Sequence, residues 1–151
     1  MKRVKRIAFL VVLLVALAST AFSLAASPNR IGARLTTRVE IPRPVGAKHA
    51  RGFFTGSYVV HAKDVVLKWN MSFQALSGRA TGATLRQGKP GLIGTQITVL
   101  CKPCKSGKGG TTLMRKSVAK ALRAGQTYVT VYTSRNPAGE LRGQLRLKKK
   151  K

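Results

Sequence analysis

Few side chains in this 151-residue sequence are equipped to move a proton at neutral pH. The acids are Glu40, Asp64 and Glu140, and the imidazoles are His49 and His61. General acid–base catalysis needs titratable groups gathered at one site. Five such groups with no shared spacing give an enzyme little to work with. The two cysteines do share a spacing, the C-x-x-C of Cys101-Lys102-Pro103-Cys104. In an exported chain the expected product is a structural disulfide that clips a loop. A redox pair is the residual alternative. It needs a thiolate of lowered pKa, usually at a helix N-terminus. This motif follows a strand pattern and precedes a glycine-rich loop, although Lys102 and Lys105 would favour a thiolate. Zinc needs four ligands, or three and a water, and the others would have to come from the distant His49 and His61. Gly107-Lys108-Gly109-Gly110-Thr111-Thr112 lacks the G-x-x-x-x-G-K-[ST] spacing of a phosphate loop. No catalytic residue, metal site or cofactor is expected.

Positive charge, in contrast, is abundant. Lys and Arg number 29 against three acids, a formal net charge of +26. So much charge of one sign costs stability through self-repulsion and attracts polyanions. The candidate anion-binding residues are Arg86, Lys89, Lys102, Lys105, Lys108, Arg142 and Arg146, together with the terminal Lys148, Lys149, Lys150 and Lys151. For an exported protein the nearest polyanions are cell-envelope polymers and anionic lipid headgroups. Nucleic acid is a weaker expectation. Phosphate contacts alone supply non-specific affinity. Base stacking needs aromatic side chains, and these are only 6% of the chain.

The N-terminus reads as an export signal. Lys2, Arg3, Lys5 and Arg6 precede the uncharged apolar run Ile7–Ala18. Ser23-Leu24-Ala25 then offers small residues for cleavage near Ala25 or Ala26. The apolar run is well short of the roughly 20 residues that a membrane-spanning helix requires. The expected organisation is therefore a signal peptide over 1–25, a leader or edge strand over 26–46, a domain over 47–147 and a basic tail over 148–151. A secreted protein with no transmembrane segment after cleavage follows.

Beyond the leader the pattern is steadily β. Leu35–Ile41 alternates, with Leu35, Thr37, Val39 and Ile41 on one side. Phe53–Val60 is aromatic and β-branched. Asp64–Phe73 is the clearest strand, with Val65, Leu67, Trp69, Met71 and Phe73 facing one way and Lys68, Asn70 and Ser72 the other. Arg79–Arg86 and Gln96–Cys101 are further strands, the latter with Ile97, Val99 and Cys101 on one side. Cys101–Gly110 reads as a loop. Val118, Ala121 and Leu122 then recur at helical spacing before Gly125, which predicts a short helix near 116–124. Thr127–Thr133 and Glu140–Leu147 close the domain around the Asn136-Pro137-Ala138-Gly139 turn. Leu141, Leu145 and Leu147 are expected inward, and Arg142, Gln144 and Arg146 outward. The fold class is all-β, a mainly antiparallel β-sandwich of Greek-key, Ig-like or SOD-like type with one short helix. Its core is expected to include Phe53, Trp69, Phe73, Val129, Val131 and Leu145.

Four segments in order carry a family resemblance. They are Gly52-Phe53-Phe54-Thr55-Gly56; Leu67–Phe73 with Trp69, followed by Leu76-Ser77-Gly78; Gly88-Lys89-Pro90-Gly91 running to Cys101–Gly107; and Tyr128–Thr133 with Asn136-Pro137-Ala138-Gly139-Glu140-Leu141-Arg142-Gly143-Gln144-Leu145. Over about residues 48–147 the chain resembles the CHRD (chordin-type) domain as it occurs in bacterial secreted proteins. The resemblance implies an extracellular β-domain. It makes Trp69, Phe73, Gly88, Pro90, Gly91, Asn136, Pro137, Gly139, Glu140 and Gly143 the motif residues, and it leaves function to the site. Three positions that usually hold histidine in that family are Thr84, Arg86 and Tyr132 here, so imidazole ligation at those places is closed to this chain. Glu140 is expected to pair with Arg142 or Arg135 and to order the closing hairpin.

The expected function is a secreted, non-enzymatic protein that associates electrostatically with anionic surfaces or polymers. An extracellular protein-binding module, a secreted nucleic-acid binder and a metal-binding or SOD-like enzyme are the alternatives. The absent histidines disfavour the last of these.

Overall fold

The structure is a computed structural model that describes residues 27–149. The expected signal peptide with its cleavage site, and the candidates Lys150 and Lys151, lie outside the described residues. The elements run β1 (Asn29–Thr36), β2 (Arg51–Val60), β3 (Asp64–Gln74), β4 (Ala80–Gln87), β5 (Thr95–Cys101), β6 (Lys108–Arg115), α1 (Val118–Arg123), β7 (Thr127–Thr133), β8 (Leu141–Gln144) and β9 (Arg146–Leu147). The expected all-β class with one short helix is what folds. The strands are antiparallel neighbours in one hydrogen-bonded sheet, in the order β5-β4-β7-β8-β1-β2-β3-β6, with β9 also paired to β1. The sheet folds over its own core until its edge strands β5 and β6 approach one another. The β1–β2–β3–β6 half thereby faces the β5–β4–β7–β8 half across one core, as the layers of a sandwich do.

Alternation decides what enters that core. Val65, Leu67, Trp69 and Met71 of β3 are buried, as are Val129 and Val131 of β7 and Leu141 of β8. Ile31, Leu35, Phe54, Tyr58, Leu85 and Leu145 complete the centre. Each large apolar side chain taken out of water contributes about 1.5–3 kcal/mol. Trp69 stacks near Phe54, with ring centroids 6.3 Å apart, and its indole N–H donates to Thr112 Oγ1 at 3.0 Å. Helix α1 buries Val118, Ala119, Ala121 and Leu122. It ends before Gly125, whose φ of +64° suits glycine.

Four expectations give way here. The first strand is Asn29–Thr36 rather than Leu35–Ile41. Pairing with β2 runs from Asn29↔Tyr58 to Thr36↔Arg51, and the residues between the two strands form the connection rather than an extension of β1. This strand lies between β2 and β8 rather than at an edge, so residues 29–36 belong to the interior of the sheet. In β2 the phase is opposite to that expected. Gly52, Phe54 and Tyr58 are buried while Phe53 is 55% exposed. A one-residue change of phase exchanges the two faces of a strand. In β5, register shifts against β4 break the alternation. Ile97, Leu100 and Cys101 therefore pack on the core and Val99 is exposed. Finally, part of the expected 101–110 loop and the residues after it form strand β6. Its Gly109 and Gly110 lie opposite Asn70 and Trp69, and a Cβ at Gly110 would stand 3.1 Å from the Trp69 ring. The glycines that disguise this strand let its backbone lie close against the tryptophan.

Candidate functional site: a loop platform and its basic surroundings

The outer face of β4, β7 and β8 is polar, and two segments cover it. Register places Thr84 beside Thr130, Arg86 beside Tyr128, Tyr128 beside Gln144 and Thr130 beside Arg142. The loop 88–94 is held from this face. Arg86 donates through Nη2 to Gly94 O at 2.6 Å and through Nε to Tyr128 Oη at 3.2 Å, and Gly94 N donates to the same hydroxyl at 2.8 Å. Arg142 lays its guanidinium over the Tyr128 ring, 3.5 Å from the centroid, and donates to Leu92 O at 2.7 Å. Gln144 Nε2 donates to Gly88 O at 2.9 Å and Gly125 O at 2.8 Å. These bonds give partners to backbone carbonyls of the loop that no strand ladder pairs.

The second cover is segment 37–50, and Asn136 fastens it. Val45 N donates to Asn136 Oδ1 at 2.7 Å, and Asn136 Nδ2 donates back to Val45 O at 3.1 Å. Asn136 is itself fixed by Glu140, whose carboxylate accepts from Asn136 Nδ2 at 3.1 Å, Thr133 Oγ1 at 2.6 Å, and both Ser77 N and Ser77 Oγ at 2.7 and 2.6 Å. Burial raises the Glu140 carboxyl, but the bonds from Ser77, Thr133 and Asn136 outweigh it and hold the pKa below the usual value. The expected arginine partners of Glu140 are thus replaced by neutral donors, because the turn brings Ser77, Thr133 and Asn136 onto the carboxylate before any guanidinium.

Glu40 belongs to segment 37–50 and buries its side chain. It is 4% exposed, accepts from Ile41 N at 3.0 Å through Oε1, and makes no hydrogen bond through Oε2 among the described residues. Burial pushes its carboxyl up to about 7, against the Ile41 N–H, Thr130 and the charges of Arg142 and Arg86. Gly139, at φ +133°, makes room for it: a Cβ there would lie 2.8 Å from Glu40 Cδ.

The anion-binding candidates divide sharply. Arg142, expected outward, is 2% exposed, and Arg86 is half-buried with its guanidinium bonded internally. Both lie on the face away from the core, as alternation requires, but that face is roofed by loops, so both are positioning residues. Lys89, Lys102, Lys105, Lys108, Arg146, Lys148 and Lys149 are exposed. Leu147, expected inward, is 44% exposed, because β8 ends at Gln144 and the chain moves to pair as β9 with β1. Lys148 joins Arg30 and Lys68 around an open groove of about 370 Å³ with Thr55, Ser57 and Asn70 on the opposite half of the sheet. Arg30 and Lys68 reach this groove from different strands, a juxtaposition that reading along the chain does not reveal. Lys102, Lys105 and Lys108, in and after the cysteine loop, do not line it.

The motif residues are structural. Gly88 and Gly91 shape the 88–94 loop around exposed Pro90, with Gly91 at φ +78°. Pro137 is exposed in the closing turn. Gly143 lets β8 lie against β1, since a Cβ would stand 2.6 Å from Arg34 O. Phe73 is half-buried, and its backbone exchanges bonds with Ser106 Oγ. Cys101 and Cys104 form a disulfide at the end of β5. Closing so short a loop removes little chain entropy, so Cys101→Ser with Cys104→Ser is expected to cost about 2 kcal/mol. Urea unfolding of the double variant against the oxidised protein measures that difference, and a loss above about 4 kcal/mol would contradict the entropic account.

Thr84, Arg86 and Tyr132 converge: Thr84 Oγ1 and Tyr132 Oη are 2.9 Å apart, and Arg86 Nη1 donates to Tyr132 Oη at 3.4 Å. A guanidinium and two hydroxyls stand there. They present a fixed positive charge and no imidazole. No helix among the described residues is long and apolar enough to cross a membrane.

Comparison with known proteins finds no significant match among curated proteins or solved structures. The model of the CHRD domain, in contrast, matches residues 31–145. That span begins inside β1 and ends at the buried Leu145, and it includes the clasp formed by Val45, Asn136 and Glu140, the disulfide and both covering segments. The chain belongs to the CHRD domain family, whose domains are typically extracellular and engaged in protein interactions.

Proposed function

We propose that this protein is secreted and associates electrostatically with anionic surfaces or polymers of the cell envelope, in a binding rather than a catalytic role. The observation that carries the reading is where the few acids lie. Glu40 and Glu140 are buried, at 4% and 0% exposure, and Asp64 is half-buried. Nearly all the negative charge is therefore withdrawn from a surface on which the lysines and most arginines stay exposed. A field of one sign then extends into solvent and gathers polyanions, and binding proceeds by release of their counterions. Export through residues 1–25 puts such a surface beside envelope polymers and headgroups.

The test is retention of the chain from Ala26 onward on isolated cell envelopes across a salt gradient. Binding at low salt and steep release by roughly 0.5 M salt is expected. Retention that ignores salt would favour the second reading, an extracellular protein-binding module, which the family's interaction domains support. A preference for DNA over an envelope polymer of equal charge would instead favour a nucleic-acid binder.

A further inference from the structure

We infer that Val39 and Ile41 from segment 37–50, with Leu92 and Ile93 from loop 88–94, form a docking face for an anionic lipid bilayer. The inference rests on the anionic-surface reading and narrows it to one class of surface for this face. All four side chains are large, apolar and exposed, from 38% at Ile41 to 67% at Ile93. Their two segments are neighbours. Gly91 shares an open cleft of about 350 Å³ with Arg38, Val39, Glu40, Ile41 and Arg43. Arg142 bonds Lys89 O and Leu92 O on one side, and its charge acts on Glu40 on the other.

Charge complementarity names the occupant. Arg38, Arg43 and Lys89 are exposed beside the apolar tips, and Glu40, the acid in the cleft, is buried. Apolar tips with cations around them suit the boundary between headgroups and acyl chains, where the tips leave water and the cations meet lipid phosphates. A second copy of the chain would bring the same cations face to face. The groove of Arg30, Lys68 and Lys148 lies on the other half of the sheet, with Thr55, Ser57 and Asn70 in its wall.

The polar layer beneath explains how such residues stay displayed. Left free, Leu92 and Ile93 would fold back onto apolar surface. Arg86, Tyr128 and Arg142 instead tie down the backbone at Lys89, Leu92 and Gly94, and Asn136 ties down Val45. The ordering cost of docking is thereby met in the free protein, which favours binding.

The chain from Ala26 onward would be sedimented with vesicles of phosphatidylglycerol and phosphatidylcholine, with vesicles of phosphatidylcholine alone, and applied in parallel to immobilised polyphosphate. Binding to the mixed vesicles and not to the neutral ones is expected. Leu92→Ser with Ile93→Ser should weaken vesicle binding by about tenfold or more while leaving both the salt needed to elute from polyphosphate and the melting temperature unchanged. Leu92→Trp should add an emission that shifts to the blue on mixed vesicles. Retention on polyphosphate without vesicle binding, undiminished vesicle binding by the double serine variant, or an unshifted Leu92→Trp would each overturn the inference and leave the broader reading standing. Failure to bind either vesicles or polyphosphate would overturn both.

Discussion

Glu140→Gln is expected to lower the free energy of unfolding at pH 7 by about 3 kcal/mol, because hydrogen bonds to a buried charge are worth more than neutral ones. The carboxylate is fully buried and accepts four hydrogen bonds. A glutamine amide offers one acceptor oxygen. Its N–H₂ would meet the donors that Oε2 now satisfies. Ser77 and Thr133 hydroxyls can rotate to accept, but Asn136 Nδ2 cannot. Asn136 Oδ1 is already committed to Val45 N. The damage therefore passes along the clasp into segment 37–50. The pH dependence has a definite sign. The folded-state pKa of Glu140 lies below its ordinary 4.5, so the folded state releases the proton more readily than the unfolded state does. The stabilisation is complete above that ordinary value and is lost as pH falls through the lower folded value. Urea unfolding followed by Trp69 fluorescence at pH 7 and at descending pH should show wild type and variant converging in acid. A variant within about 0.5 kcal/mol of wild type at pH 7 would remove the clasp from the account of stability.

Glu40→Gln should act in the opposite direction. The Glu40 carboxyl titrates at about 7 in the folded protein against an ordinary 4.5. Between those values the folded state keeps a proton that the unfolded state has released, so stability falls as pH rises through this window. The gap corresponds to a cost on the order of 3 kcal/mol once Glu40 is ionised, an upper bound for what glutamine recovers. Glutamine keeps an oxygen for the Ile41 N–H and carries no charge to desolvate. The variant should match wild type near pH 4 and exceed its melting temperature at pH 8. A variant less stable than wild type at pH 8 would mean that attraction to Arg142 and Arg86 outweighs burial. Together the two substitutions separate acids that look alike in sequence. One is held by four donors, the other by one backbone N–H, its second oxygen unpartnered among the described residues.

Much of the fold was legible because strand alternation is a local code. Val65, Leu67, Trp69 and Met71 read as the inner face of a strand from their spacing, and all four are buried. Helix α1, its Gly125 stop and the closing turn were legible for the same reason, since caps and turns are specified by a few adjacent residues. Strand β6 was not, because Gly109 and Gly110 are there for close approach to a distant tryptophan rather than for any local pattern. The phase of β2 was hidden as well. With Phe53 and Phe54 adjacent, either could point inward until pairing with β1 and β3 settled which.

By itself the sequence determined the all-β class, the cysteine pair, the family and the excess of positive charge. Each follows from composition, short spacing or ordered motifs, which survive without coordinates. Tertiary structure decided what the charges do. Alternation puts Arg142 on the face away from the core, yet that face is roofed by loops that arrive from far along the chain, so the guanidinium is buried on Tyr128 and serves as a support. The same roofing hides Glu40, and the closing turn hides Glu140. Whether an ionisable group faces water depends on segments remote in sequence, and so the nearly one-signed surface on which the proposed function rests is a property of the assembled fold.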